Sequence, residues 1–139
     1  MPRILAIDPG LRNWGLALSD AEGRLVARTW SFRGSAEELA RAIRALSPDE
    51  VVIGWAEGSV TTRAAQKVGT LLQRAGLRVR FADEAFTTAL ARKLLEEERG
   101  RKRGRGRRRP ALRSKEPVNA KAAGILLDFY LRSKGAQGR

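Results

Sequence analysis

Asp8 closes the first apolar run of the chain, ILAID, and stands directly before Pro9 and Gly10. A carboxylate at the carboxyl end of a strand, followed by a glycine that lets a phosphate come close, is where an open α/β sheet usually binds its ligand. The alternative is an aspartate that only starts a turn through its side chain. Asp83 and Glu84 repeat the arrangement after a later strand, LRVRFA (77–82), just ahead of a helical segment. Carboxylates converging from separate elements are what Mg²⁺ requires, and a pair of ions about 4 Å apart stabilises both the attacking and the leaving oxygen of a phosphodiester. Favourable charge at a helix N-terminus is the alternative for Asp83 and Glu84, and it needs no metal. Glu57 is a weaker third candidate, because its surroundings, EGSV, read as a solvated loop.

Composition narrows the chemistry. The chain has no cysteine and no histidine, which removes disulfides, thiolate sites and the commonest general base at neutral pH. Any metal is then held by oxygen, which favours Mg²⁺ or Mn²⁺. With 28 Lys and Arg against 15 Asp and Glu, the net charge of +13 favours a polyanionic partner. Ten of those cations fall in residues 99–115, among them Arg101, Lys102, Arg103, Arg105, Arg107, Arg108, Arg109 and Lys115, together with three Gly and a Pro. Mutual repulsion and low apolar content predict a disordered loop there, and its charge density predicts phosphate contact over simple solvation. Arg12 and Arg63 are weaker candidates of the same sort. An anionic membrane surface would call for an amphipathic basic helix, which the Gly-rich run cannot form. No apolar run approaches the ~20 residues of a membrane span, and the N-terminal stretch is too short for a signal peptide, so the expected location is the cytoplasm.

These residues need a scaffold. The length of 139 residues suits one compact domain, taken as residues 1–139. Residues 3–8, 14–19 and 24–31 read as three strands of a meander joined by tight turns. Ser35 followed by Glu38 forms a capping-box pattern, with Leu39, Ile43 and Leu46 at helical spacing until Pro48. A fourth strand is expected over 50–56. Ala64, Ala65, Val68, Leu71, Leu72 and Ala75 mark a helix with Gly76 as its C-cap, and a fifth strand covers 77–82. Further helices are expected at about 87–98 and 119–132, the latter burying Ala122, Ala123, Leu126, Leu127, Tyr130 and Leu131. Antiparallel hairpins followed by βα units imply an α/β fold with a mixed five-stranded sheet and helices on both sides. Trp14, Trp30 and Trp55 are expected in core packing, with Trp55 alternatively a stacking surface for an unpaired base.

Three segments carry a family resemblance in order and spacing. ILAIDPGLRNWGLALSD resembles the opening of YqgF proteins, VVIGWAEGSVTTRAAQKVGTLLQRAGLRVRFADEAFTT is similar to their strand, loop, helix and DERxTT signature, and KEPVNAKAAGILLDFYL is similar to their terminal helix. Together they span about residues 3–131. The resemblance implies an RNase H-like fold, processing of the precursor of 16S ribosomal RNA, and resolvase-like nuclease activity. It implies a carboxylate set at Asp8, at Glu84 with Asp83 beside it, and at a terminal-helix aspartate. This chain has Asn119 at that last position. Pro9 departs too, since Asp-Pro-Gly is more typical of the sister RuvC resolvases, but those usually carry a Glu around Gly54 and lack the Asp-Glu-Ala-Phe-Thr-Thr pattern.

An amide oxygen at position 119 can ligate Mg²⁺ without adding charge, in which case Asn119→Asp would tighten metal binding. The alternative is that Asn119 is the N-cap of the last helix. Asp128 lies on the opposite face and is expected to pair with Arg132 at i,i+4 spacing. The leading expectation is a nuclease dependent on Mg²⁺ or Mn²⁺ that acts on structured RNA or branched DNA. Asp8 and Glu84 would hold the metal, with Asp83 and Asn119 assisting. A two-fold junction would favour a homodimer. The competing expectation keeps the fold and the nucleic-acid binding and drops catalysis. An actin-like ATPase built on the Asp-Pro-Gly hairpin is disfavoured, because such enzymes clamp nucleotide between two related domains.

Overall fold

The computed structural model describes residues 3–10, 13–54, 60–82, 96 and 118–137. Five strands form one sheet: β1 (Ile4–Asp8), β2 (Trp14–Ser19), β3 (Val26–Phe32), β4 (Glu50–Ile53) and β5 (Arg78–Phe81), in the order β3-β2-β1-β4-β5. The first three strands pair antiparallel, and β1–β4 and β4–β5 pair parallel. The hairpins are cheap because their turns are short, whereas each parallel pair needs a helical crossover, and α1 (Ala36–Leu46) and α2 (Thr62–Arg74) supply these. The mixed sheet is therefore the one expected.

Local signals hold where they can be checked. Ser35 Oγ accepts from the Glu38 backbone N–H while the Glu38 carboxylate accepts from the Ser35 N–H, completing the capping box of α1. The second helix ends at Arg74 with Ala75, not the expected Gly76, as its C-cap; Gly76 follows one residue later with φ 93°, the left-handed position past the cap. The fourth strand ends at Ile53, and the remainder of its expected span, including Trp55 and Glu57, lies outside the described residues, as does most of the helix expected at 87–98. The last helix, α3 (Val118–Gln137), is longer than its pattern predicts at both ends.

Alternation along the strands divides the interior into two layers. Leu5, Ile7, Leu16, Leu18, Val51 and Ile53 face α1 and α2, with Leu39, Ile43, Val68 and Leu72 packed onto them. Ile4, Ala6, Ala17 and Val52 face α3, whose Ala123, Leu126, Leu127, Tyr130 and Leu131 cover them. Small residues on β1 and β2 let the helix lie close, and its long apolar side chains fill the layer. Trp14 is buried and donates from Nε1 to the Gly34 carbonyl, and Trp30 packs at the margin of the same layer beneath the Arg28 guanidinium. By the same alternation, Asp8 and Glu50 stand on the α3 face at opposite ends of the sheet.

Candidate functional site

Asp8 is the last residue of β1, and its neighbours on both sides are glycines. Gly15 is its antiparallel partner on β2, and Gly54 is the next residue past the Ile7–Ile53 pair on β4. A Cβ on Gly54 would sit 3.7 Å from Asp8 Oδ1. Neither neighbour covers the carboxylate with a side chain. It is half-buried, no described residue hydrogen-bonds or ion-pairs with it, and burial pushes its pKa up to about 6. Among the described residues nothing supplies a counter-charge, and burial disfavours its ionised form.

The space above Gly15 is filled by the start of α3. A Cβ on Gly15 would overlap the Asn119 carbonyl, so only glycine lets the helix approach here. Directly opposed strand residues have Cβ positions about 5 Å apart, which puts the Asn119 backbone beside the Asp8 side chain. The Asn119 side chain does not cap the helix. Helix α3 begins one residue earlier, at Val118, and Asn119 Nδ2 donates to the Asn13 carbonyl at 2.6 Å. Its Oδ1 is buried with no hydrogen-bond partner among the described residues. The capping alternative is thereby removed.

Among the described residues no three His, Cys, Asp or Glu side chains cluster as a metal site. What they offer is one carboxylate and one orphaned amide oxygen at the same strand end. Both are hard oxygen donors, and a buried acceptor with no donor is a position that a cation satisfies, so the pair fits Mg²⁺ or Mn²⁺. Asp83 and Glu84 lie outside the described residues, although β5, which runs parallel to β4, ends just before them at the same edge of the sheet. Arg12 and the basic run with Arg101, Lys102, Arg103, Arg105, Arg107, Arg108, Arg109 and Lys115 also lie outside. Arg63 is exposed in the first turn of α2, at the end of the sheet where Asp8 stands. Asp128 pairs with Arg132 at 3.2 Å on the surface of α3, as its spacing predicts.

Glu50 is not among the residues that the sequence singles out. At the far end of the same face it is 2% exposed; it accepts from the Tyr130 hydroxyl and from Lys134 Nζ at 2.9 Å, and it forms an ion pair with Arg80 Nε at 3.1 Å. The one available signal was an acid opening an otherwise apolar strand, with Tyr130 and Lys134 spaced i,i+4 on a later helix.

Comparison with known proteins identifies the family. The family model described as "RuvX: Holliday junction resolvase" matches residues 2–133. A relative from Dictyoglomus thermophilum is 32% identical, covering 94% of this chain and 96% of its own, and one from Lactococcus lactis subsp. cremoris is 28% identical, covering 93% of each. Both are named as candidate pre-16S rRNA nucleases. Among solved structures, T. thermophilus RuvC in complex with Holliday junction substrate aligns over 97% of this chain and 96% of its own with a TM-score of 0.54 at 18% identity. The fowlpox virus Holliday junction resolvase aligns over 94% of this chain and 99% of its own with a TM-score of 0.59 at 12% identity. The structural likeness establishes an RNase H-like fold, and the match along nearly the whole sequence establishes the rest: this chain belongs to the RuvX (YqgF) family of Holliday junction resolvases and is a nuclease.

Proposed function

We propose that the protein hydrolyses phosphodiester bonds of structured nucleic acid with Mg²⁺ or Mn²⁺, and that precursor 16S ribosomal RNA is its substrate. The observation that carries the reading is the Asp8 carboxylate, without a described partner, beside the orphaned Asn119 Oδ1 at one strand end. Asp8 and Asn119 hold the cation from β1 and α3, with Glu84 as a further ligand and Asp83 assisting from the segment after β5. When bound, the cation supplies Lewis-acid polarisation of the scissile phosphate. Gly15 and Gly54 keep bulk away from Asp8, so that a phosphate can approach it. Residues 99–115, with Arg12 and Arg63, grip the backbone of the nucleic acid and offset its charge. The whole site belongs to a single domain.

The choice of RNA is supported by the two relatives that align over nearly their full length, both named for that substrate. Branched DNA is the second reading, favoured by the junction-bound RuvC that shares the fold. It would bring a homodimer with it, since a two-fold junction is best met by a two-fold enzyme. Ribosomal RNA processing places the enzyme in the cytoplasm; among the described residues no helix is long and apolar enough to cross a membrane.

The test is a cleavage panel of precursor 16S rRNA, a four-way DNA junction and single strands, with Mg²⁺, Mn²⁺ or chelator. Metal-dependent cutting of the RNA that disappears in Asp8→Asn is the expected result. Cutting of the junction alone would select the second reading. Tight binding to all without cutting would leave a nucleic-acid-binding protein and overturn the proposal.

A further inference from the structure

Asn119 stands where the family resemblance places an aspartate, and the fold has committed its amide in a way no carboxylate could share. An amide has a donor end and an acceptor end. Nδ2 is spent on the Asn13 carbonyl, 2.6 Å away in the turn between β1 and β2. The opposite rotamer would bring two oxygens to hydrogen-bond distance, so the chemistry of the partner fixes which end is which. Oδ1 therefore faces away from Asn13 and is buried there without a hydrogen bond among the described residues. Two glycines make the grip possible. Gly15 lets the helix backbone settle beside Asp8, and a Cβ on Gly10 would overlap the Asn13 carbonyl itself and stand 3.1 Å from Asn119 Nδ2.

The geometry points to the Asn13 carbonyl as a positioning group, which holds Asn119 as a neutral, oriented oxygen donor and makes this position unsuited to the aspartate that the resemblance leads one to expect. The inference rests on the proposed metal centre and adds to it how one ligand is aimed. An aspartate at 119 has no N–H for the Asn13 carbonyl. It gains charge towards the cation, but it loses its anchor and presents an oxygen to an oxygen. The expectation from sequence, that restoring the acid tightens metal binding, is reversed by this one tertiary contact.

The test is Mn²⁺ titration of the full chain, read from free Mn²⁺ by electron paramagnetic resonance, for the native protein, Asp8→Asn, Asn119→Ala and Asn119→Asp. Asn119→Ala should weaken Mn²⁺ binding about tenfold, the scale of losing one group that shapes a metal site. Asn119→Asp should bind no more tightly than the native protein and should melt lower in chelator. Tighter binding by Asn119→Asp would overturn the inference, as would native affinity in Asn119→Ala where Asp8→Asn has lost it. Native affinity in Asp8→Asn would instead overturn the metal centre, and the anchor is then judged separately by nuclear magnetic resonance. In metal-free native protein, one Asn119 Nδ2 proton, assigned by its absence in Asn119→Ala, should be shifted downfield and protected from solvent exchange. Shift and exchange typical of a free side-chain amide would overturn the anchor even if a substituted form failed to fold.

Discussion

Asp8 and Glu50 are two carboxylates on the same face of the same sheet, under the same helix, and the fold treats them in opposite ways. Glu50 is buried at the amino end of β4. Desolvation alone would raise its pKa, but hydrogen bonds from Tyr130 and Lys134, with the charges of Lys134 and Arg80, outweigh that and hold it below the ordinary value. Burial and the Glu50 bond in turn raise the Tyr130 hydroxyl. Asp8, at the carboxyl end of β1, receives burial without described partners, and its pKa rises to about 6. One acid is saturated and ties α3 to β4 and β5. The other has no acceptor partner among the described residues, which is the condition the proposed binding role requires. An acid's partners, more than its depth, separate a clamp from a group free to bind.

Neutralising each acid in turn separates the two roles. Asp8→Asn should lower cleavage by about a hundredfold or more, the scale of losing one preorganised electrostatic group at a reacting phosphate. Nucleic-acid affinity should stay equal or rise, because a charge that repels phosphate is removed. Single-turnover cleavage and a binding titration on the same RNA check both halves. Loss of binding in parallel with cleavage would mean that Asp8 serves the fold.

Glu50→Ala should do the reverse. It removes the hydrogen bond that the Tyr130 hydroxyl donates to Glu50, while Lys134 and Arg80, with side chains 38% and 61% exposed, can turn to water. The cost is therefore below that of breaking a fully buried pair, about 2 kcal/mol of unfolding free energy in urea melts. Cleavage per folded molecule should not change. Glu50→Gln should recover part of the loss, since its amide oxygen can still accept from Tyr130.

The two acids should also pull the pH dependence of stability in opposite directions in metal-free protein. Asp8 binds its proton more tightly folded than unfolded, since its pKa rises from 3.8 to about 6. Its contribution is full at low pH and is lost as pH rises through that window, a fall of about 2 kcal/mol allowing for partial exposure. Glu50 has a lowered pKa, so its contribution is present above 4.5 and is lost as pH falls below it. Thermal melts in chelator should therefore peak at about pH 4, where the two slopes cancel. Asp8→Asn should flatten the neutral limb and spare the acid limb, Glu50→Ala should soften only the acid limb, and Mg²⁺ should restore stability above about pH 6.

Much of this architecture is legible in the sequence because its signals are local. The Ser35–Glu38 box, the stripe on α2 and the alternation of β1 and β2 each lie within one element, and Asp8 announces itself by standing between an apolar strand and Pro9-Gly10. Asn119 and Glu50 were not legible in the same way. The bond from Asn119 to Asn13 crosses 106 positions, and those from Tyr130 and Lys134 to Glu50 cross 80 and 84. Nothing near Asn119 distinguishes a cap from a ligand, and nothing near Glu50 shows that its charge is answered. Only tertiary contact shows which partner each polar group takes, because that partner lies on another element.

The smallest expected effect sharpens the comparison most finely, because it leaves every polar group in place. In Gly54→Ala the new methyl would lie 3.5 Å from the Ile7 carbonyl, 3.6 Å from Leu126 Cδ2 and 3.7 Å from Asp8 Oδ1, all ordinary contacts. Replacing a glycine where alanine fits restricts the unfolded chain, so stability should be unchanged or higher by about 0.5 kcal/mol. The methyl also takes some water from Asp8 without offering a hydrogen bond, which pushes its pKa further up and disfavours the ionised form that holds a cation. Mn²⁺ affinity should hardly change at neutral pH, where a carboxyl with a pKa of about 6 is already mostly ionised, and should fall by at most about twofold below pH 6. The effect should grow as pH drops towards 6, where proton and cation compete for the same oxygens. A pH-independent loss would show that the methyl acts by blocking space, and no loss at all would show that Asp8 already meets water from another side.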